Sequence, residues 1–259
     1  MQQLNYNFVI KLLNQTTMKM KSIIKTMSLV VLFIAAIIAS SCTQTLSGEI
    51  KKESRDLTGF TGIELAVPAD LFLTQGEGYS LTIEADKDIL DIIETEVRGT
   101  NLRIKTERGL WNWRNAKIKI YITMPEVENL SISGSGDIKA VTSIVSQTLT
   151  TRISGSGDIN IPNLKVNSFS GTVSGSGDID ISGEDVASDV NLRVSGSGDI
   201  KIKGIMFSEG EVAVSGSGDI YLEVKDNLKA RVAGSGNVVY GGNPLIDAKV
   251  SGSGKVRNK

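Results

Sequence analysis

The sequence predicts an all-β protein, a parallel β-helix with coils of about 18–21 residues and one short helix near its N-terminal part. Three observations carry this. The phrase Ser133-Gly134-Ser135-Gly136-Asp137-Ile138 returns at Ser154, Ser174, Ser195 and Ser215, with weaker copies starting at Ala233 and Ser251. Successive starts lie 21, 20, 21, 20, 18 and 18 residues apart, and self-similarity at a fixed period near 20 is the mark of a solenoid. Apolar residues recur in phase with the phrase. Finally, 14 of the 27 glycines fall inside it, while aromatic residues make up only 5% of the chain, which suits a thin aliphatic core.

The chain opens with what reads as an export signal. Lys19, Lys21 and Lys25 precede an apolar run from Leu29 to Ile38, then Ala39-Ser40-Ser41 and Cys42, the only cysteine. The run is too short to span a bilayer as a helix. Small residues followed by Cys resemble a bacterial lipobox, which makes Cys42 the lipidated first mature residue. Residues 1–41 are thus the signal peptide, with Met18 a second candidate start, and 42–57 read as a polar tether. From Thr58 strands alternate: Ile63, Leu65 and Val67, then Leu71 and Leu73, then Leu81 and Ile83. Ile89, Leu90, Ile92 and Ile93 fit one face of a short helix capped by Asp86. Strands resume at Val97–Ile104 and, after a loop holding Trp111 and Trp113, at Lys117–Thr123. These segments read as irregular opening coils of a domain covering 58–259.

In the repeats, period-2 alternation with Ile132 inward turns both glycines of each phrase inward and Ser, Ser and Asp outward. Ile153, Val173, Val194, Val214, Val232 and Val250 then form one inward column. Ile159, Ile179, Ile200, Ile220, Val238 and Val256 form another. β-Branched residues stack well at the ~4.8 Å spacing of neighbouring strands. The inward glycines mark a bend too tight for side chains between opposing walls. The outward residues make a candidate binding face: Ser135, Asp137, Ser156, Asp158, Ser176, Asp178, Ser197, Asp199, Ser217 and Asp219. Stacked carboxylates repel by ~0.9 kcal/mol per neighbouring pair in water. Asp is therefore expected to bond backbone amides in the turn, with Asn237 and Lys255 relieving charge at the far end.

Catalysis and metal binding find little support. There is no His, which removes the usual general base and the commonest transition-metal ligand. The calcium β-roll needs a nine-residue period with a different Gly–Asp spacing. Glycoside hydrolysis needs two carboxylates in distinct roles, whereas these all repeat one position. No catalytic residue, metal or cofactor is expected. Trp111 and Trp113 form a candidate aromatic contact for a sugar or partner; alternatively they cover an open end of the solenoid. The first 41 residues hold four of the 28 basic residues and none of the 29 acidic ones. The remainder has a net charge of −5, which argues against nucleic acid.

The lipoprotein-like signal, the Ile63–Val67 and Leu71–Gln75 strands, the Ile118–Pro125 strand ending in Met-Pro, and the repeated Ser-Gly-Ser-Gly-Asp resemble the head GIN domain family of auto-transporter adhesins. The resemblance covers about residues 58 to 258. It implies a β-helix-like fold on an exported protein of Bacteroidetes-type bacteria. The chain shows no C-terminal membrane barrel, so the resemblance points to a lipid-anchored protein and transfers no binding residues. The expectation is a non-catalytic outer-membrane lipoprotein on the surface or periplasmic face, anchored through Cys42, with a glycan or protein ligand. A structural envelope protein and a carbohydrate-active β-helix enzyme are the alternatives.

Overall fold

The computed structural model describes residues 47–106 and 116–259. Cys42, the signal peptide, Trp111 and Trp113 lie outside the described residues.

Inward columns of Ile, Leu and Val set the architecture. Strand β8 (Asn129–Gly134) pairs in parallel with β10 (Ile144–Gly155), and β10 with β12 (Leu164–Gly175). The stack continues through β13 (Ile179–Gly196), β14 (Ile200–Gly216), β15 (Ile220–Gly234) and β17 (Leu245–Gly252). On the other side of the corner, β9 (Asp137–Ala140), β11 (Ile159–Ile161), the starts of β13, β14 and β15, β16 (Val238–Gly241) and β18 (Val256–Asn258) stack likewise. The result is a β-solenoid of about six turns.

Both predicted columns are in register. Ile153 pairs with Ile132 and Val173, and the series runs through Val194, Val214 and Val232 to Val250. Ile159 pairs with Ile138 and Ile179, and that series runs to Val256. Nearly all are buried, because each side chain is covered above and below by its own kind. The last coil differs: all eight residues of β17 are exposed, Leu245 at 77% and Val250 at 46%.

The opening segment is not a set of coils in chain order. Strands β2 (Gly62–Leu65) and β3 (Asp70–Gln75) form the coil beneath β8 and β9, so that Leu65 meets Ile132 and Leu71 meets Ile138. The coil beneath that is β6 (Asn101–Thr106) and β7 (Lys119–Met124), again parallel. Antiparallel strands then close this end. Strand β5 (Ile93–Arg98) pairs with β6, β4 (Ser80–Asp86) with β7, and β1 (Ile50–Ser54) with β4. The helix α1 is a single turn, Lys87–Leu90, capped by Asp86, whose carboxylate accepts the Asp88 amide at 3.1 Å. Ile93 already belongs to β5, because the apolar pattern there serves a strand as well as a helix.

The fold also begins earlier than Thr58. Besides β1, Ser47 and Gly48 donate to Asp86 at 2.8 and 2.7 Å. Arg55 donates to the carbonyl of Leu90, left open at the helix end, at 3.3 Å and to that of Ile93, at the start of β5, at 2.7 Å. The polar sequence of residues 47–57 thus pairs along an edge strand whose side chains face solvent.

Candidate functional site

The repeated phrase forms the corner between the two stacks. Its conformation differs from unbroken alternation at the first glycine, where the strand ends. In the seven copies this residue takes φ between 121° and 146°, a region essentially reserved for glycine. It is exposed or half-buried, and only the second glycine is buried. What excludes a side chain is the neighbouring coil and not an opposing wall. A Cβ on Gly196 would sit 2.2 Å from the Gly175 carbonyl oxygen, and one on Gly198 would sit 2.0 Å from that of Gly177.

This close approach makes hydrogen bonds. The Gly175 carbonyl accepts both the Ser197 amide, at 2.8 Å, and the Gly198 amide, at 3.2 Å. The same pair recurs from Gly134 to Gly234. The next amide, that of the ladder residue, is served by a side chain. Asp158 N–H donates to Oδ1 of Asp137 at 2.8 Å, Asp178 to Asp158 at 2.8 Å, Asp199 to Asp178 at 2.7 Å and Asp219 to Asp199 at 2.8 Å. Asn237 donates to Asp219 at 2.7 Å, and Lys255 to Asn237 at 3.1 Å. The expected amide bond therefore exists, but it crosses to the following coil instead of closing its own turn. A hydrogen bond to a charged acceptor contributes ~1.5–3 kcal/mol. Repulsion between neighbouring carboxylates in water is ~0.9 kcal/mol, so the bond wins. Asn237 fits because its Oδ1 accepts equally well.

The second carboxylate oxygen is available for other contacts. Lys201 Nζ lies 2.9 Å from Asp199 Oδ2, and the Tyr221 hydroxyl donates to Asp219 Oδ2 at 3.1 Å. The hydrogen bond to Asp199 raises the Lys201 pKa against a smaller opposing effect of burial. Burial, then the bond to Asp219, raises that of Tyr221. The predicted face is thus a ridge ~29 Å long from Asp137 to Lys255, at six steps of ~4.8 Å. Ser135, Ser156, Ser176, Ser197 and Ser217 are exposed along it. Asp137 and Asp158 are exposed, and Asp178, Asp199 and Asp219 half-buried. Single file keeps the carboxylates apart, and among the described residues no three acidic, His or Cys groups converge as metal ligands do.

Sequence reasoning missed two features. Asp70 pairs with Asp137 and extends the ladder position into the opening coil, although Val67-Pro68-Ala69 replaces the glycines there. The second is a column two residues before the phrase that is basic in four of the seven copies, at Arg152, Arg193, Arg231 and Lys249. It was legible as a fixed offset from the phrase.

Residues 59–244 match the family described as putative auto-transporter adhesin, head GIN domain. The chain belongs to this family. No curated protein matches it. Among solved structures, the head GIN chain is similar to a putative adhesin from Bacteroides fragilis, at 23% identity and a TM-score of 0.75, covering 82% of this chain and 98% of that one. It is also similar to a putative lipid binding protein from Parabacteroides distasonis, at 22% identity and a TM-score of 0.67, covering 83% and 98%. A putative adhesin from Parabacteroides merdae has 18% identity and a TM-score of 0.60, covering 82% and 97%. At these identities the likeness is one of fold.

Proposed function

We propose that this head GIN chain is an exported, non-catalytic binding module of adhesin type, held at the outer membrane through a lipid on Cys42. The observation that carries the reading is the ridge. The corner hydrogen bonds hold its serines and aspartates in register, coil after coil. A rigid row of identical polar groups can engage a repetitive glycan or protein surface at several points, and such linked contacts gain avidity that one contact lacks. Ser156, Ser176 and Asp178 lie near the middle of that row. The family's adhesin description agrees with this role, and it is not a description of an enzyme.

The test has two arms. Cells expressing the full chain should adhere to a glycan- or protein-coated surface more strongly than cells lacking it. The triple substitution Ser156→Ala, Ser176→Ala, Asp178→Asn should reduce that adhesion while leaving thermal stability nearly unchanged. Adhesion unaffected by the triple substitution removes the ridge from the account. Cys42→Ser should release the protein from the membrane fraction, and retention in that fraction contradicts lipid anchoring.

A further inference from the structure

We infer that the outer face next to the ridge carries a second binding site, a straight groove for an acidic polysaccharide. This rests on the reading of the chain as a binding module but places the ligand on a different strip. The groove encloses about 460 Å³ over the last four coils. Ala213 and Ala233 form part of its lining, with Ser195 and Ser215 alongside. Arg193, Arg231 and Lys249 also line it.

Charge decides what it fits. Arg152, Thr172, Arg193, Ala213, Arg231 and Lys249 are consecutive partners in one outward column. All four cations are exposed. Among the described residues none of them lies within 4.0 Å of a carboxylate. The neighbouring outward column does pair, Lys229 with Glu211 at 3.2 Å. From Arg152 to Arg193, and again to Arg231, the step is two coils, or ~9.6 Å, with Lys249 one coil further. An extended polymer bearing a carboxylate or sulfate on alternate units could meet Arg152, Arg193 and Arg231 in turn, and one charged on every unit could meet Lys249 as well. Arginine is suited to these planar or oxygen-rich anions because its guanidinium presents paired donors.

The floor favours a sugar over other anions. Ala213 in the cation column and Ala233 in the next outward column offer apolar contacts for the C–H face of a pyranose ring. The hydroxyls of Ser195 and Ser215 share the column of Ala233, two residues beyond the cation column, where they can bond the ring's edge. An acyl chain finds little to enter along most of the groove, because Val194, Val214 and Val232 beneath are each only 2% exposed and apolar surface opens only at Val250 in the last coil, 46% exposed. A single nucleic acid strand is usually gripped by aromatic side chains stacking on its bases, and this column and its lining contain none.

The experiment measures binding of the full chain to polygalacturonate and chondroitin sulfate. Neutral amylose, phosphatidylglycerol vesicles and an oligothymidylate serve as comparators. The expected result is binding of both acidic polysaccharides that weakens with added salt, and no binding of amylose. Arg193→Glu with Arg231→Glu should weaken it at least tenfold, whereas Lys165→Glu elsewhere on the surface should leave it within twofold. Should the double variant fold poorly by its melting temperature, Arg231→Gln alone, which removes one cation, should still weaken binding severalfold. Four outcomes overturn the proposal: no binding of either acidic polysaccharide, equal loss in Lys165→Glu, undiminished binding in the arginine variants, or tighter binding of vesicles or oligothymidylate. The ridge variant described above should keep polysaccharide binding. If the ridge variant loses binding while the arginine variants keep it, the groove is wrong and the module reading stands.

Discussion

Replacing Gly198 by Ala isolates the contact that stacks the coils. Its φ lies outside the glycine region, so backbone strain plays no part; only space does. The new Cβ would lie 2.0 Å from the Gly177 carbonyl oxygen, and real Cβ contacts stay above 3.0 Å. Two rigid coils must therefore part by about 1 Å at the corner. Three amide bonds cross there: Ser197 and Gly198 to Gly175 at 2.8 and 3.2 Å, and Asp199 to Asp178 at 2.7 Å. Overpacking of a rigid site costs ~1–3 kcal/mol, and weakening one or two of these bonds adds about 1 kcal/mol each. The sum, about 2–5 kcal/mol, is a large part of a typical 5–15 kcal/mol of stability. Gly78→Ala is the matching control, since Gly78 has φ 79° and nothing within 4 Å. It should lose only ~1–2 kcal/mol, from left-handed strain. Thermal unfolding followed by circular dichroism should place Gly198→Ala well below Gly78→Ala. A Gly198→Ala melting temperature equal to or above that of Gly78→Ala would refute the role given to coil contact.

Asp178→Ala should cost ~1–3 kcal/mol by leaving the Asp199 amide without its acceptor, whereas Asp178→Asn should be nearly neutral, as Asn237 already shows the amide oxygen in that role. Urea unfolding of the two variants checks this, and equal losses would deny the ladder its hydrogen bond. At Asp86, burial pushes the carboxyl upward, but bonds from Ser47, Asp88 and Gly48 outweigh it and hold it below 3.8. A lowered folded value gives stability that is present above 3.8 and lost as the pH falls through the folded value. The melting-temperature gap between wild type and Asp86→Asn should therefore shrink toward acid. Lys201 and Tyr221 are raised above 10.5 and 10.0. Their contribution is full below those values and is lost as the pH rises through the folded ones. Tyr221→Phe should flatten the alkaline decline, and an unchanged decline would contradict the assignment.

What the sequence made legible was whatever repeats. The Ile153 and Ile159 columns could be read because every coil restates the same phase, and one error would have exposed itself six times over. The first glycine was misplaced because alternation records which side a residue faces but not its φ. Glycine reports only that something requires it, not whether a wall or a neighbouring carbonyl does. The Asp ladder was recognised as bonding amides, yet the partner lies 18–21 residues away, where a turn rule does not look. At the opening end, Leu65, Leu71, Leu102 and Ile120 alternate correctly. Alternation does not name a partner, so neither the out-of-order stacking nor the antiparallel closure by β1, β4 and β5 was visible. β1 itself was hidden because an exposed edge strand lacks an apolar face.

The claim most central to this account is that the repeated phrase is first a stacking corner, with Asp serving the next coil's amide. Amide hydrogen exchange at Asp158, Asp178, Asp199 and Asp219 tests it most directly. These residues lie at an exposed or half-exposed corner, where an unbonded amide would exchange within seconds. Exchange as slow as in the adjoining strands is expected, with selective acceleration of the Asp199 amide in Asp178→Ala. Rapid exchange at these amides in the wild-type chain would contradict it.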